Sequence, residues 1–199
     1  MKLLYSPASP YAAKVRMAAR HVGIDLAVEK VDTGSNPPEL LDNNPLGKIP
    51  TLLREGELPI YDSVAIMHFI DRLSGGLVYP KKDPKRTDAE VLEALCDGMM
   101  DSLLAIMNER RSRPEDRVHQ PWIDKQWDKV TRGLDHLNAH MPKTGKKLNG
   151  GHFALAALLS YLDLRFDDRN WRAGRDALAA WPEEFLKRFP DYAELKAQA

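Results

Sequence analysis

The sequence has a single cysteine, Cys96, in 199 residues, which excludes an intrachain disulfide framework and suits a reducing compartment such as the cytoplasm. It has no excess charge of either sign. Lys+Arg and Asp+Glu stand at 29 each, and no tract of five or more like charges occurs, so neither a nucleic-acid footprint nor a polybasic membrane anchor is expected. Long apolar runs are missing as well. The uncharged stretch from Leu148 to Leu162 contains His152 and falls short of the roughly 20 residues that cross a bilayer, and the apolar run at Leu3-Leu4 is too short for a secretory leader. There is no repeat, no low-complexity tract and no glycine-rich phosphate loop. His136 and His140 share a helix face, but no Glu follows His136 and no third ligand is near in sequence, so a solvated face is expected and no metal.

What is present is an ordinary globular composition, 43% hydrophobic and 29% charged, arranged in two different periodicities. Residues 2–5 read as a strand that breaks into a Ser/Pro turn. Ser9 stands where a helix N-cap belongs and Pro10 at the first helical position, and Val15, Ala18, Ala19 and Val22 give the following helix one buried stripe. Such a helix start favours an anion. Residues 26–31 read as a second strand parallel to the first. A polar stretch follows, with at most a short helix at 39–42, then a hairpin of 51–54 with 58–61, then a helix begun by Asp62 or Ser63 and stopped by Gly75-Gly76. This order is that of a thioredoxin-like domain. Residues 79–84 read as a linker between a domain of residues 1–78 and an all-helical one of 85–199. In the latter, apolar stripes define a long helix ending before Pro114, a partner stopped by Pro142 and an apolar helix from Leu155 to Phe166. Two short closing segments, 177–181 and 185–189, are interrupted at Pro182 and Pro190. The fold class expected is therefore an N-terminal α/β domain followed by an all-α domain.

Three pieces, in this order, carry a family resemblance. They are Ser6-Pro7-Ala8-Ser9-Pro10-Tyr11, Asn44-Pro45-Leu46-Gly47-Lys48-Ile49-Pro50-Thr51-Leu52, and Tyr61-Asp62-Ser63-Val64-Ala65-Ile66. With the helical half that includes Tyr161-Leu162-Asp163-Leu164-Arg165-Phe166, the chain resembles the cytosolic glutathione S-transferases, most of all their bacterial serine-type members. The resemblance implies glutathione as co-substrate, a hydrophobic electrophile as second substrate, a cytoplasmic homodimer and a role in detoxification. It implies that Ser9 stabilises the glutathione thiolate, with Tyr5 and Ser6 as rivals for that role. It further implies that the Ile49-Pro50 bond is cis and lets Ile49 exchange backbone bonds with the peptide, that Lys48 lies near the glycine carboxylate, and that Asp62 and Ser63 hold the γ-glutamyl end. Met99, Met100, Met107 and Trp171 are candidates for the wall of the electrophile pocket.

The bland alternatives are capping for Ser9, Asp62 and Ser63, a solvated loop charge for Lys48, a helix-surface aromatic for Tyr11, surface pairing for the charges from Asp163 to Arg169, and a small buried hydrophobe for Cys96. No cysteine lies in the first turn, which argues against mixed-disulfide chemistry there. Where the family has a Ser/Thr-x-x-Asp capping box, this chain has Asn149-Gly150-Gly151-His152, so a weaker helix start is expected. Two alternative functions remain within the resemblance. One is a non-catalytic regulator like those related to stringent starvation protein, and the other a specialised glutathione-dependent isomerase or dehalogenase.

Overall fold

In the computed structural model of the chain, which describes every residue except 146, four strands and eight helices follow in order. The first half contains β1 (Lys2–Tyr5), α1 (Pro10–His21), β2 (Ala27–Lys30), α2 (Pro38–Asn43), β3 (Thr51–Arg54), β4 (Glu57–Tyr61) and α3 (Ser63–Leu73). The strand order is β2-β1-β3-β4, with β1 and β2 parallel across the α1 crossover and β3 antiparallel to both of its neighbours. Leu3 and Leu52 are fully buried beneath α1 and α3, whose Ala18, Ile66 and Ile70 close the core, while Leu4, equally buried, points to the opposite face of the sheet. The first half is α/β as its pattern predicts, with α2 longer than the pattern indicates and a 3₁₀ turn at Thr33–Ser35 ahead of it.

The second half is all helical: α4 (Lys85–Ser112), α5 (Gln120–Ala139), α6 (Gly150–Arg165), α7 (Asp176–Arg188) and α8 (Tyr192–Leu195). α6 is buried along most of its length, against α4 on one side and α1 on the other, so it joins the two halves into one core. Gly150 and Gly151 permit that approach. A Cβ on Gly150 would stand 2.5 Å from the Tyr79 ring, and one on Gly151 would stand 2.7 Å from the Ala89 carbonyl oxygen.

Three expectations need correction. Residues 176–188 form one helix that runs through Pro182, because Leu178, Trp181 and Phe185 recur on a single buried face whose packing outweighs the lost backbone bond. The chain also continues past Pro190 into α8, which the pattern did not indicate, and Gln198 N–H donates to the Pro7 carbonyl at 3.0 Å. Finally, α6 does not start weakly. Asn149 Oδ1 accepts from His152 N–H, and His152 Nδ1 in turn accepts from Asn149 N–H at 3.1 Å, so an imidazole nitrogen fills the place of the carboxylate in a complete capping box.

Candidate functional site

The sheet register gathers the site. Leu4 of β1 pairs with Thr51 of β3, which pairs with Tyr61 of β4. Because β3 runs against both neighbours, the end of β1, the start of β3 and the end of β4 lie at the same edge of the sheet. The Ser6–Ser9 turn, Ile49-Pro50 and Asp62-Ser63 therefore emerge side by side.

In the first segment Ser9 N–H closes a turn onto the Ser6 carbonyl at 3.0 Å, and Ser9 Oγ accepts from Ala12 N–H at 3.2 Å. Ser9 is thus the N-cap of α1, with Pro10 at the first helical position. Capping occupies a lone pair on the oxygen and leaves the hydroxyl proton to donate elsewhere. Of the rivals, Tyr5 is buried at 6% exposure with the Arg16 guanidinium 4.8 Å above its ring, and Ser6 is half-buried in the turn. Tyr11 is no free surface aromatic, since its O–H donates to Asp101 of α4.

The second segment is held from within. Asn44, 1% exposed, accepts from Leu46 N–H and donates to both the Lys48 carbonyl and Thr51 Oγ1, while the Thr51 hydroxyl donates to that same carbonyl. This clamp fixes a turn in which the Ile49-Pro50 bond is cis and the backbone N–H and C=O of Ile49 find no partner among the described residues. Lys48 extends into solvent from the same turn. Asn44 and Thr51 belong to the quoted motif, yet their structural role went unassigned. An Asn preceding Pro was the available signal.

In the third segment Asp62 adopts φ +73°, a left-handed conformation that costs a non-glycine residue about 1 kcal/mol or more. Its carboxylate accepts from Val64 N–H at 2.8 Å and caps α3. Ser63, buried at 6%, has neither its N–H nor its hydroxyl hydrogen-bonded among the described residues. The capping that Asp62 performs thus leaves Ser63 at a helix start with donors to spare.

Behind the site lies a cluster that the sequence did not announce. Lys14 of α1 is fully buried and its Nζ donates to Glu93 at 2.9 Å and to Asp97 at 2.7 Å, both on α4, while Tyr79 O–H donates to Glu93. Burial alone lowers the Lys14 pKa, but the two facing carboxylates outweigh it and the net direction is upward. One cation cannot balance two buried carboxylates. Burial accordingly pushes Asp97 up to about 6 in spite of Lys14.

Other candidates fall away. Met99, Met100 and Trp171 are core residues, Met99 lying against Gly133 of α5 and Trp171 Nε1 donating to Asp163. Of the suggested wall only Met107 is partly open. Cys96 is buried, which pushes its thiol pKa well up and leaves it unreactive. His140 Nδ1 lies 3.0 Å from the His136 carbonyl, and no group of three metal-ligating side chains forms among the described residues. Asp163 and Asp167 pair, at 2.7 Å and 3.8 Å, with Arg172, a residue beyond the expected cluster, and the cluster's own Arg165 and Arg169 form no ion pair among the described residues. A depression of about 530 Å³ between the end of α4 and the start of α5 is lined by Ala105, Asn108, Glu109 and Trp122 and by none of the site residues.

Residues 8–73 match the family model for the glutathione S-transferase N-terminal domain, and residues 120–183 match that for the C-terminal domain. A glutathione S-transferase from Methylobacillus flagellatus, solved with glutathione bound, is 33% identical, with a TM-score of 0.85 and 99% of each chain covered. The chain belongs to the glutathione S-transferase family. A family member from Pseudomonas fluorescens, solved with S-(propanoic acid)-glutathione, is 30% identical over all of both chains with a TM-score of 0.87. The uncharacterized GST-like protein YibF of Escherichia coli K12 is 27% identical, covering 94% of this chain and 95% of its own. The thioredoxin-like domain followed by an all-helical one is the glutathione S-transferase fold.

Proposed function

We propose that the protein is a glutathione transferase in which Ser9 stabilises the thiolate of bound glutathione for attack on an electrophilic carbon. The observation that carries this reading is the unpaired backbone of Ile49 facing the same sheet edge as Ser9 and the free donors of Ser63. An extended peptide laid along Ile49 completes a two-bond ladder, as an added strand does. Its γ-glutamyl carboxylate then meets the start of α3 at Ser63, with Asp62 facing the ammonium. Lys48 is placed for the glycine carboxylate. The sulfur arrives at Ser9, where the hydroxyl proton and the α1 terminus favour the anion.

A free cysteine-like thiol has a pKa of about 8.5, so only a few per cent is ionised at neutral pH, and a drop of about two units makes most of it nucleophilic. The thiolate electron pair forms the S–C bond. In a displacement the leaving group departs with its bonding pair, and in an addition the π pair moves to the neighbouring atom and takes a proton. The relatives solved with glutathione and with a glutathione bearing a propanoic acid on sulfur support both the ligand and this kind of product. We assign the chain to the cytoplasm, in keeping with its lone buried thiol, and to a homodimer formed across α3, α4 and α5, with Val64, His68, Glu90, Ala94 and Asp97 of α3 and α4 bordering a cavity of about 260 Å³.

Calorimetry with reduced glutathione tests the reading. Binding that weakens in Ser63→Ala and Asp62→Ala supports it. An absence of binding to the wild type contradicts it and favours the non-catalytic regulator.

A further inference from the structure

Beyond the first turn of α1 the two long helices of the second domain leave a strip of their own. Lys14 meets Glu93 and Asp97, and Tyr11, nearer the start of α1, meets Asp101, so α1 points its N-terminus along α4 toward the C-terminal end of α4. The α4 face that α1 covers at Glu93 and Asp97 continues, at helical spacing, through Leu104 and Met107 to Arg111. Leu104 is 39% exposed and Met107 partly buried, whereas Arg111 stands in solvent about 10 Å past Leu104 by helix rise.

α6, which starts against Ala89 and Leu92 of α4, supplies the other side. Tyr161 and Arg165 are four residues apart on it and share a face. Tyr161 is buried at 5%, and its hydroxyl has no hydrogen-bond partner among the described residues. Burial raises its pKa, and Arg165 and Arg111 lie close enough to oppose that rise. The ion pairs of these segments go to Arg113 with Glu109 and to Arg172 with Asp163, which leaves Arg111 and Arg165 without one among the described residues.

We propose that the second substrate is an amphiphilic electrophile, its apolar body lying along Leu104 and Met107 and a carboxylate or similar anion bound by Arg111 and Arg165 at the end remote from Ser9. Asp101, close to the thiol, repels an anion from the near end and so sets the direction. The Tyr161 hydroxyl donates along the way. This inference rests on the reading of Ser9 and the glutathione site given above.

Two conjugates that differ in one group test it: S-hexylglutathione and S-(5-carboxypentyl)glutathione, titrated calorimetrically into the wild type and into Arg111→Gln, Arg165→Gln, the double variant and the corresponding Arg→Lys pair. The carboxylated conjugate is expected to bind the wild type about tenfold more tightly. The double Gln variant is expected to lose that preference while binding S-hexylglutathione as before, and the Lys pair to keep part of it. Equal affinity of the two conjugates for the wild type, or a preference that survives the double variant, overturns the anion site and leaves the glutathione reading standing. If neither conjugate binds, the glutathione reading itself falls and this inference with it.

Discussion

In the proposed function one hydroxyl, that of Ser9, serves two purposes through different parts. Its oxygen accepts from Ala12 N–H, and its proton is available to the sulfur. Glycine separates the two, because it caps a helix at a cost of only a few tenths of a kcal/mol yet has no hydroxyl. Ser9→Gly is therefore expected to keep its melting temperature within a degree or two and to lose about a hundredfold in kcat with glutathione. A large fall in melting temperature with kcat intact would reverse the assignment. Lys14 behaves in the opposite way. Removing the cation from beneath Glu93 and Asp97 strands two buried carboxylates, so Lys14→Met is expected to cost about 3 kcal/mol or more, read as a shift in urea midpoint. Ser9 was legible because Ser-Pro at a helix start is a local signal. Lys14 was not, since its partners lie on a helix 79 and 83 residues away in sequence.

Among the elements, α6 shows most clearly what a local pattern conveys and what it omits. Its apolar run announced a buried helix, and Asn149 announced the cap. That an imidazole would accept at the third position is a matter of tautomer, fixed by Lys143, whose carbonyl lies 3.3 Å from Nε2 and takes its proton. Burial lowers the His152 pKa. The unfolded chain therefore takes up a proton at about its ordinary 6.5 while the folded chain resists, and the stability contributed by the box is complete above that pH and lost as the pH falls below it. His21, also lowered by burial, adds the same slope, and Asp97, raised to about 6, opposes it, because its contribution falls as the pH rises through that value. His152→Gln keeps an acceptor and does not titrate, so its melting temperature is expected to fall less than that of the wild type between pH 7.5 and 5.5. His152→Ala is expected to cost about 1 kcal/mol at neutral pH. Gly151→Ala sets a Cβ against the Ala89 carbonyl and is expected to cost about 1–3 kcal/mol by thermal melting. α7 escaped the sequence for a related reason: Pro182 reads as a break, and only the tertiary burial of Trp181 and Phe185 keeps the helix whole.

At the scale of the whole molecule the two halves were separable by periodicity, two residues against 3.6, and the parallel pairing of β1 with β2 followed from the one helix between them. What could not be read is how closely the halves are joined. α6 lies against α1, Lys14 reaches α4, and Gln198 ties the last residues to Pro7 beside Ser9, contacts that depend on packing and not on any local pattern. The proposed dimer is expected to show twice the chain mass by light scattering, and Val91→Arg, at an exposed apolar position on α4, to reduce it to one. A chain mass that is single at all concentrations contradicts that assembly. If this joined scaffold lowers the pKa of a bound thiol through Ser9, ultraviolet absorbance of the thiolate during a pH titration of the glutathione complex registers the shift. The bound thiol is expected to show a pKa of about 6.5 in the wild type, about two units below the free value, and to return most of the way toward about 8.5 in Ser9→Gly while glutathione still binds. The same depressed pKa in both proteins would contradict it.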